Sequence, residues 1–289
     1  MKGPILTLNN GVTMPMLGLG VFQSAKEETA SAVKTAIAEG YGLIDTASGY
    51  QNEAEVGQGI RESAVDRFKI FVTTKLRPVD YGHDAALRAF DTSMSKLGFD
   101  VLDLYLLHWP VARDFDNTIT SWNICQRLLR EGRVRAIGVC NFKPAHLDML
   151  ISRSEVVPAV NQIELHPYFA QPDHDEAHKR LGIVTQAWSP IGGIQRYWPG
   201  EQKKDPLSDP VVTGLASKYA KTSAQIILRW QIELGHSIIP KSVQADRIRE
   251  NADIFNFALS QDEVAAISAL DTGRRGGPDP EIQGTPEGK

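Results

Sequence analysis

Two rhythms of apolar and polar residues alternate along this chain. Short apolar runs read as strands at Met16 to Leu19, Leu43 to Asp45, Lys69 to Thr74 and Val101 to Leu107. They continue at Val134 to Val139, Ala159 to Ile163, Val184 to Ala187 and Ser237 to Ile239. Between them lie charge-decorated stretches with apolar residues at helical spacing, including Glu27 to Glu39, Glu53 to Glu62, Asp84 to Leu97, Ser121 to Arg130 and Ser223 to Glu233. Gly40, Gly98, Gly132, Gly182 and Gly235 stand near the expected helix ends, where a left-handed residue stops the helix. The opening stretch differs. Ile5 to Leu8 reads as a strand, Asn10-Gly11 as its turn, and Val12 onward as the return strand of a hairpin.

Eight strands alternating with helices after a hairpin predict an α/β fold, a (β/α)8 TIM barrel. An open doubly wound sheet is the alternative, because periodicity alone does not close a barrel. No linker interrupts the pattern, so the 289 residues are expected to form a single domain, 1–289. Residues 192–210 and the Gly/Pro-rich tail from Thr272 read as long loops. Each either covers a ligand site or is simply mobile.

Composition narrows the function. At 42% hydrophobic and 23% charged the chain can build a sizeable core, so disorder is disfavoured. A net charge of −4 argues against a broad basic surface for nucleic acid, yet leaves room for a few cations around one anionic small molecule. Cys125 and Cys140 form no disulfide framework. The start, MKGPILTLNNG, lacks the apolar core of a signal peptide, and no apolar run reaches the length of a membrane span. A cytoplasmic enzyme or ligand binder, with no membrane partner, is the expectation.

Two motifs point elsewhere and carry little. Gly18-Leu19-Gly20 begins like a dinucleotide fingerprint, but Gln23 stands where the third glycine belongs; close backbone packing explains the pair as well. His174 and His178 have metal-pair spacing, without zincin order or a third ligand, and are expected on a solvated helix surface.

The strand ends are more informative. In a barrel, residues at the C-terminal strand ends meet at one mouth. Consecutive strands bring Asp45, Lys75 and His108 there, and Tyr50 follows Asp45 in the next loop. Singly, these could be a turn cap, a solvated strand end, a satisfied core histidine and rim packing. Together they suit carbonyl reduction, which needs a hydride at carbon and a proton at oxygen. A phenol has a pKa of about 10, and a neighbouring ammonium is expected to lower it. Lys75 can do this for Tyr50, and Asp45 can hold Lys75 charged. His108 can orient the substrate oxygen or share in proton delivery.

With these residues placed, the chain resembles the aldo-keto reductase superfamily along almost its whole length. The stretch from Asp45 to Glu53, DTASGYQNE, followed by Val56-Gly57, is similar to its first signature. LDLYLLHWP, Leu102 to Pro110, is similar to its fourth-strand segment, and IPKSVQADRIREN, Ile239 to Asn251, to its cofactor signature. Within it the chain resembles bacterial small-molecule reductases, including those acting on diketo sugar acids. The resemblance implies a barrel closed at its base by the hairpin, with catalytic Asp45, Tyr50, Lys75 and His108 and with Tyr50 as general acid. It implies a monomer.

No tetrad residue is a hydride source, so a cofactor is required. Pro240-Lys241-Ser242 follows the eighth strand, and a helix is expected to start soon after, the setting in which barrels bind phosphate. The resemblance implies NADPH or NADP there, with the 2′-phosphate on Lys241, Ser242 and Arg247 and adenine near Glu250 and Asn251. It places Trp188 on the nicotinamide ring, Ser189 beside the cofactor, and Asn141 and Gln162 on the carboxamide. In GVCNF, Gly138 to Phe142, Cys140 departs from the family's serine and offers a weaker donor; a reactive thiol is the other reading. The loop at 192–210 carries Arg196, Lys203 and Lys204 but also Glu201, Asp205 and Asp209, so its charge does not settle whether it clasps the pyrophosphate.

By the same resemblance Phe22 and Trp109 line the substrate pocket, and a small-molecule carbonyl is the expected partner. Arg274 and Arg275 could attract a substrate carboxylate. A lyase forming a Schiff base on Lys75 and a non-catalytic NADPH-binding protein remain as rivals.

Overall fold

The computed structural model describes residues 1–192 and 205–283. The hairpin comes first, as β1 (Ile5–Thr7) and β2 (Thr13–Pro15), with Leu6 opposite Met14. Its connection is longer than an Asn10-Gly11 turn. The Gly11 amide donates to the Leu8 carbonyl at 2.9 Å and the Leu8 amide to Val12 at 2.8 Å. Asn9 and Asn10 side chains instead reach the barrel base, donating to the Pro158 carbonyl at 3.1 Å and the Arg135 carbonyl at 3.0 Å. Leu8 and Met14 are buried with Leu43, Phe71, Leu104 and Val160 in the barrel interior. The hairpin therefore plugs the base with apolar side chains.

Eight parallel strands follow: β3 (Gly18–Gly20), β4 (Leu43–Asp45), β5 (Phe71–Leu76), β6 (Leu102–Leu107), β7 (Val134–Cys140), β8 (Val160–Glu164), β9 (Val184–Trp188) and β10 (Ser237–Ile238). They pair in chain order. The barrel closes between β3 and β10, where Leu17 bridges Ile238 and Gly20 bridges Lys241. The Ile238 amide donates to Met16 at 2.7 Å across this seam. Gly20 has a packing role here: a Cβ on it would stand 2.8 Å from the Ile239 carbonyl oxygen. The chain thus forms a closed (β/α)8 barrel rather than an open sheet.

Helices α1 (Lys26–Ala38), α2 (Glu53–Glu62), α3 (His83–Leu97), α4 (Phe115–Arg130) and α5 (Pro144–Ile151) surround its first half. Helices α6 (Pro172–Leu181), α7 (Pro210–Tyr219), α8 (Ser223–Glu233), α9 (Ala245–Ala252) and α10 (Gln261–Ser268) complete it. The five glycines expected at helix ends all have positive φ, from 68° to 92°. Helix α4 starts six residues before the sequence pattern places it, where the Asp114 carboxylate caps the Asn117 amide. None of these helices is long and apolar enough to cross a membrane.

His178 is not on a solvated surface. It is 1% exposed and its ring nitrogens meet Thr185 Oγ1 at 2.8 Å and the Asn161 amide at 2.9 Å. No metal-binding cluster occurs among the described residues. Burial pushes the His178 ring down to about 3 and the half-buried His174 ring down to about 4. In an unfolded chain both protonate near pH 6.5. Below that pH the unfolded state binds protons the native state refuses, so stability is full above it and drains as pH falls toward 3–4. Thermal unfolding midpoints should therefore drop between about pH 7 and pH 5, and His178→Gln should make that slope shallower. An unchanged slope in the variant would remove His178 from the explanation.

Candidate active site

The ends of β4, β5 and β6 bring the acid, amine and imidazole together. Lys75 Nζ lies 2.6 Å from Asp45 Oδ1, 3.0 Å from the Thr46 carbonyl and 3.3 Å from the Tyr50 hydroxyl. Lys75 is fully buried and Asp45 is 2% exposed. Tyr50 arrives on the short 3-10 turn Ser48–Tyr50, which is pinned from both sides. Ser48 Oγ donates to the Lys75 carbonyl at 2.9 Å. Thr46 Oγ1 donates to Asn52 Oδ1 at 2.8 Å, and Asn52 Nδ2 to the Val21 carbonyl at 2.9 Å. The His108 ring stands edge-on to Tyr50, with centroids 5.7 Å apart. Phe22, 46% exposed, packs at a tilt on Tyr50 with centroids 4.9 Å apart, and Trp109 stacks beside His108 at 6.3 Å.

The electrostatics refine the expected roles. Burial is the largest single influence on Lys75 and opposes its charge, but the Asp45 carboxylate, by charge and hydrogen bond, together with Tyr50 and Cys140 outweighs it and holds the ammonium above its ordinary range. Burial also pushes Asp45 upward, against the pull of Lys75. The short contact and the second donor on Asp45 favour the ionised pair. For Tyr50 the Lys75 ammonium pulls the phenol down as expected, but burial is the larger influence. Burial raises the phenol above its ordinary value, and Lys75 recovers only part of that rise. His108 is driven well below its ordinary value, by burial first and by Lys75 and Arg77 next. It is therefore a neutral imidazole, able to donate one hydrogen bond but not a spare proton.

The second oxygen of Asp45 belongs to a network the sequence did not reveal. Gln162 Nε2 donates to Asp45 Oδ2 at 2.7 Å and to Gln186 Oε1 at 2.7 Å. Gln186 Nε2 in turn donates to Ser237 Oγ at 3.0 Å. Polar groups from β4, β5, β8, β9 and β10 thus cross the barrel interior. Cys140 is 1% exposed; its thiol donates to Gln162 Oε1 at 3.7 Å and accepts from Asn141 Nδ2 at 3.1 Å. Burial pushes the thiol up, so the reactive-thiol reading fails.

Asn141, with φ +65°, links the two halves of the rim. Its Nδ2 donates to the His108 carbonyl at 3.1 Å, and its Oδ1 accepts the Trp188 indole N–H at 2.8 Å. Ser189 follows with φ +48°. Beyond β10, α9 starts at Ala245, as the sequence leads one to expect. Lys241 and Arg247 are exposed there, Ser242 is 7% exposed with its Oγ accepting the Gln244 amide at 3.1 Å, and Asn251 is 6% exposed. Glu250 accepts a hydrogen bond from Thr222 Oγ1 at 2.8 Å. Arg196, Lys203 and Lys204 lie outside the described residues, as does Glu201.

The described part of the tail packs against the rim. Arg275 does not present a free cation to the mouth. Its guanidinium sits 4.8 Å over the Phe169 ring and 3.8 Å from the buried Glu164 carboxylate, so its expected role toward a substrate carboxylate is overturned. A polar cleft lined by Ser48, Arg77, Asp80, Arg88 and Lys96 lies beside the mouth and contains none of the tetrad.

A closed barrel with a buried lysine–aspartate pair touching a phenol at its C-terminal rim defines a class of barrel oxidoreductase. The family profile described as the Aldo/keto reductase family matches residues 16–272. The chain belongs to that family. It is 56% identical over 282 residues to morphine 6-dehydrogenase of Pseudomonas putida, covering 96% of this chain and 95% of that protein. An aldo/keto reductase structure from Brucella melitensis shares 46% identity with a TM-score of 0.86, covering 93% of this chain and 99% of that one. A Bombyx mori aldo-keto reductase in complex with NADP shares 37% identity with a TM-score of 0.88, covering 96% of each chain.

Proposed function

We propose that this protein reduces aldehydes and ketones to alcohols with NADPH, with Tyr50 as the general acid. The observation that carries the reading is the fully buried Lys75, held 2.6 Å from Asp45 and 3.3 Å from the Tyr50 hydroxyl. When bound, reduced nicotinamide supplies the hydride for the carbonyl carbon. Tyr50 gives its hydroxyl proton to the carbonyl oxygen as charge develops there. The phenolate left behind faces the Lys75 ammonium, which Asp45 keeps charged and in place. Neutral His108 donates a hydrogen bond that orients the same oxygen. By microscopic reversibility the same groups serve alcohol oxidation with NADP, and the relative named morphine 6-dehydrogenase fits that direction. The solved relative in complex with NADP supports the cofactor.

The residues fit such a cofactor. Trp188 and Ser189 would flank the nicotinamide. Asn141 and Gln162 would meet its carboxamide, Gln162 through Oε1, where the Cys140 thiol is a weak competitor at 3.7 Å. Lys241, Ser242 and Arg247, beside the N-terminus of α9, would hold the 2′-phosphate, and Glu250 and Asn251 would meet adenine. Phe22 and Trp109 make the pocket apolar and aromatic, so the substrate is a small-molecule carbonyl. We read the chain as one domain, 1–289, working as a monomer in the cytoplasm. A Schiff-base lyase is disfavoured, because a buried, ion-paired ammonium is a poor nucleophile.

Cofactor choice gives a direct test. Lys241→Ala with Arg247→Ala should weaken NADPH binding by about 10–100-fold and leave NADH binding almost unchanged, as expected for lost charge-assisted hydrogen bonds to one phosphate. Fluorescence titration with both nucleotides measures it. Equal losses for the two would place the phosphate elsewhere.

A further inference from the structure

Glu164 ends β8 with its side chain fully buried, yet it has no part in the tetrad. Its partners come from the tail. Oε1 accepts the Gly276 amide at 2.7 Å, and Oε2 accepts the Gly277 amide at 3.0 Å. His166 Nε2 faces Oε1 at 3.1 Å, and Arg275 stands 3.8 Å from Oε2. A buried carboxylate taken up by two consecutive backbone amides is a built clamp, since each oxygen receives a donor and the charge has a cation beside it.

The clamp fixes more than the tail. A Cβ on Gly277 would stand 2.5 Å from Trp188 Cη2, so the tail backbone rests directly on the indole edge. The other end of that indole donates to Asn141 Oδ1 at 2.8 Å, and Asn141 donates to the His108 carbonyl at 3.1 Å. Glu164 is thus linked through Gly277, Trp188 and Asn141 to the backbone of the imidazole that faces Tyr50. Further along, Asp279 and Glu281 pair with Lys143 Nζ at 3.0 and 3.1 Å, at the start of α5. On its upstream side Thr272 binds the Tyr168 carbonyl, its amide at 3.1 Å and its hydroxyl at 2.8 Å. The tail is a strap over the ends of β7, β8 and β9, held at three points.

We propose that Glu164 is a specificity-determining positioning residue: by clamping Gly276 and Gly277 it sets the strap and the position of the Trp188 indole that would back the nicotinamide, and so the space left beside it for the carbonyl substrate. This rests on the carbonyl-reductase reading for its substrate, but the clamp itself can be read without turnover.

The test compares Glu164→Gln and Lys143→Met with the full-length wild type. Glutamine keeps the shape but turns an NH2 toward an amide donor and removes the charge facing Arg275. Lys143→Met loosens only the outer anchor, at a residue that is 30% exposed on its side chain, and so leaves the barrel core untouched. Amide hydrogen exchange of residues 274–283 should accelerate by about tenfold in Glu164→Gln and less in Lys143→Met. With a bulky cyclic ketone, kcat/KM should fall by about tenfold, chiefly through KM, while a small aldehyde should change by less than about twofold. Gly277→Ala should shift the same ratio, because its methyl displaces the strap from Trp188. Unchanged exchange in Glu164→Gln would overturn the clamp. Equal losses for large and small carbonyls would overturn the specificity role. Absence of wild-type turnover with both carbonyls would overturn the functional reading, and the exchange data would then decide the clamp alone.

Discussion

Replacing Tyr50 with phenylalanine should lower kcat by about 10²–10⁴-fold, the usual worth of a positioned general acid. NADPH affinity should stay near that of the wild type. The ring keeps its contacts with Phe22 at 4.9 Å and His108 at 5.7 Å, so the fold should not suffer. The change removes one proton donor and little else. Steady-state rates with a saturating aldehyde, beside a fluorescence titration with NADPH, separate the two effects. The pH profile adds a second reading. Burial keeps Tyr50 protonated above its ordinary range, and His108 stays neutral because its ring is held well below its own. The reduction rate should therefore be flat through the neutral range and fall only at alkaline pH. A limb near the ordinary pKa of histidine would contradict a neutral His108.

Replacing Lys75 with methionine should be more damaging, because it strikes both stability and chemistry. Asp45 would be left buried without its cation, 2% exposed and retaining the Gln162 amide. Breaking one side of a buried ion pair typically costs about 3–5 kcal/mol. Turnover should fall at least about a hundredfold, since the phenolate of Tyr50 would lose its stabilising charge. The double variant Lys75→Met with Asp45→Asn separates the two effects. It should recover much of the lost stability, having no orphaned charge, while remaining inactive. Chemical denaturation of the wild type and these two variants measures this. A double variant as unstable as Lys75→Met would mean the pair is not the source of the cost.

Much of this site was legible because barrel geometry converts chain position into spatial position. Asp45, Lys75 and His108 lie at the ends of neighbouring strands, and the register pairs Asp45 with Thr73 and Lys75 with Leu106. The loop from Thr46 to Asn52 then has only one rim on which to place Tyr50. The helix-ending glycines were legible for a similar reason, since each answers a local backbone demand.

What stayed hidden depends on contacts between distant segments. The Gln162–Asp45 bond joins residues 117 apart in sequence, and the Glu164–Gly277 bond joins residues 113 apart. Nothing local marks either glutamine or glutamate as special. His178 was misplaced for a related reason. Its neighbours Lys179 and Arg180 are exposed, and only the packing of α6 on β9 turns the ring inward onto Thr185 and Asn161. The net state of Tyr50 was also out of reach, because the burial that opposes Lys75 comes from the whole rim.

The central claim is that Tyr50 completes a carbonyl reduction that NADPH begins. The most direct measurement is a single turnover: enzyme preloaded with NADPH is mixed rapidly with excess aldehyde, and loss of the reduced-nicotinamide absorbance is followed. Wild type should oxidise one bound equivalent and form the alcohol, while Tyr50→Phe should hold the same equivalent and oxidise it about 10²–10⁴-fold more slowly. Equal rates in the two proteins, or a wild type that binds NADPH and leaves a broad panel of carbonyls unreduced, would contradict it.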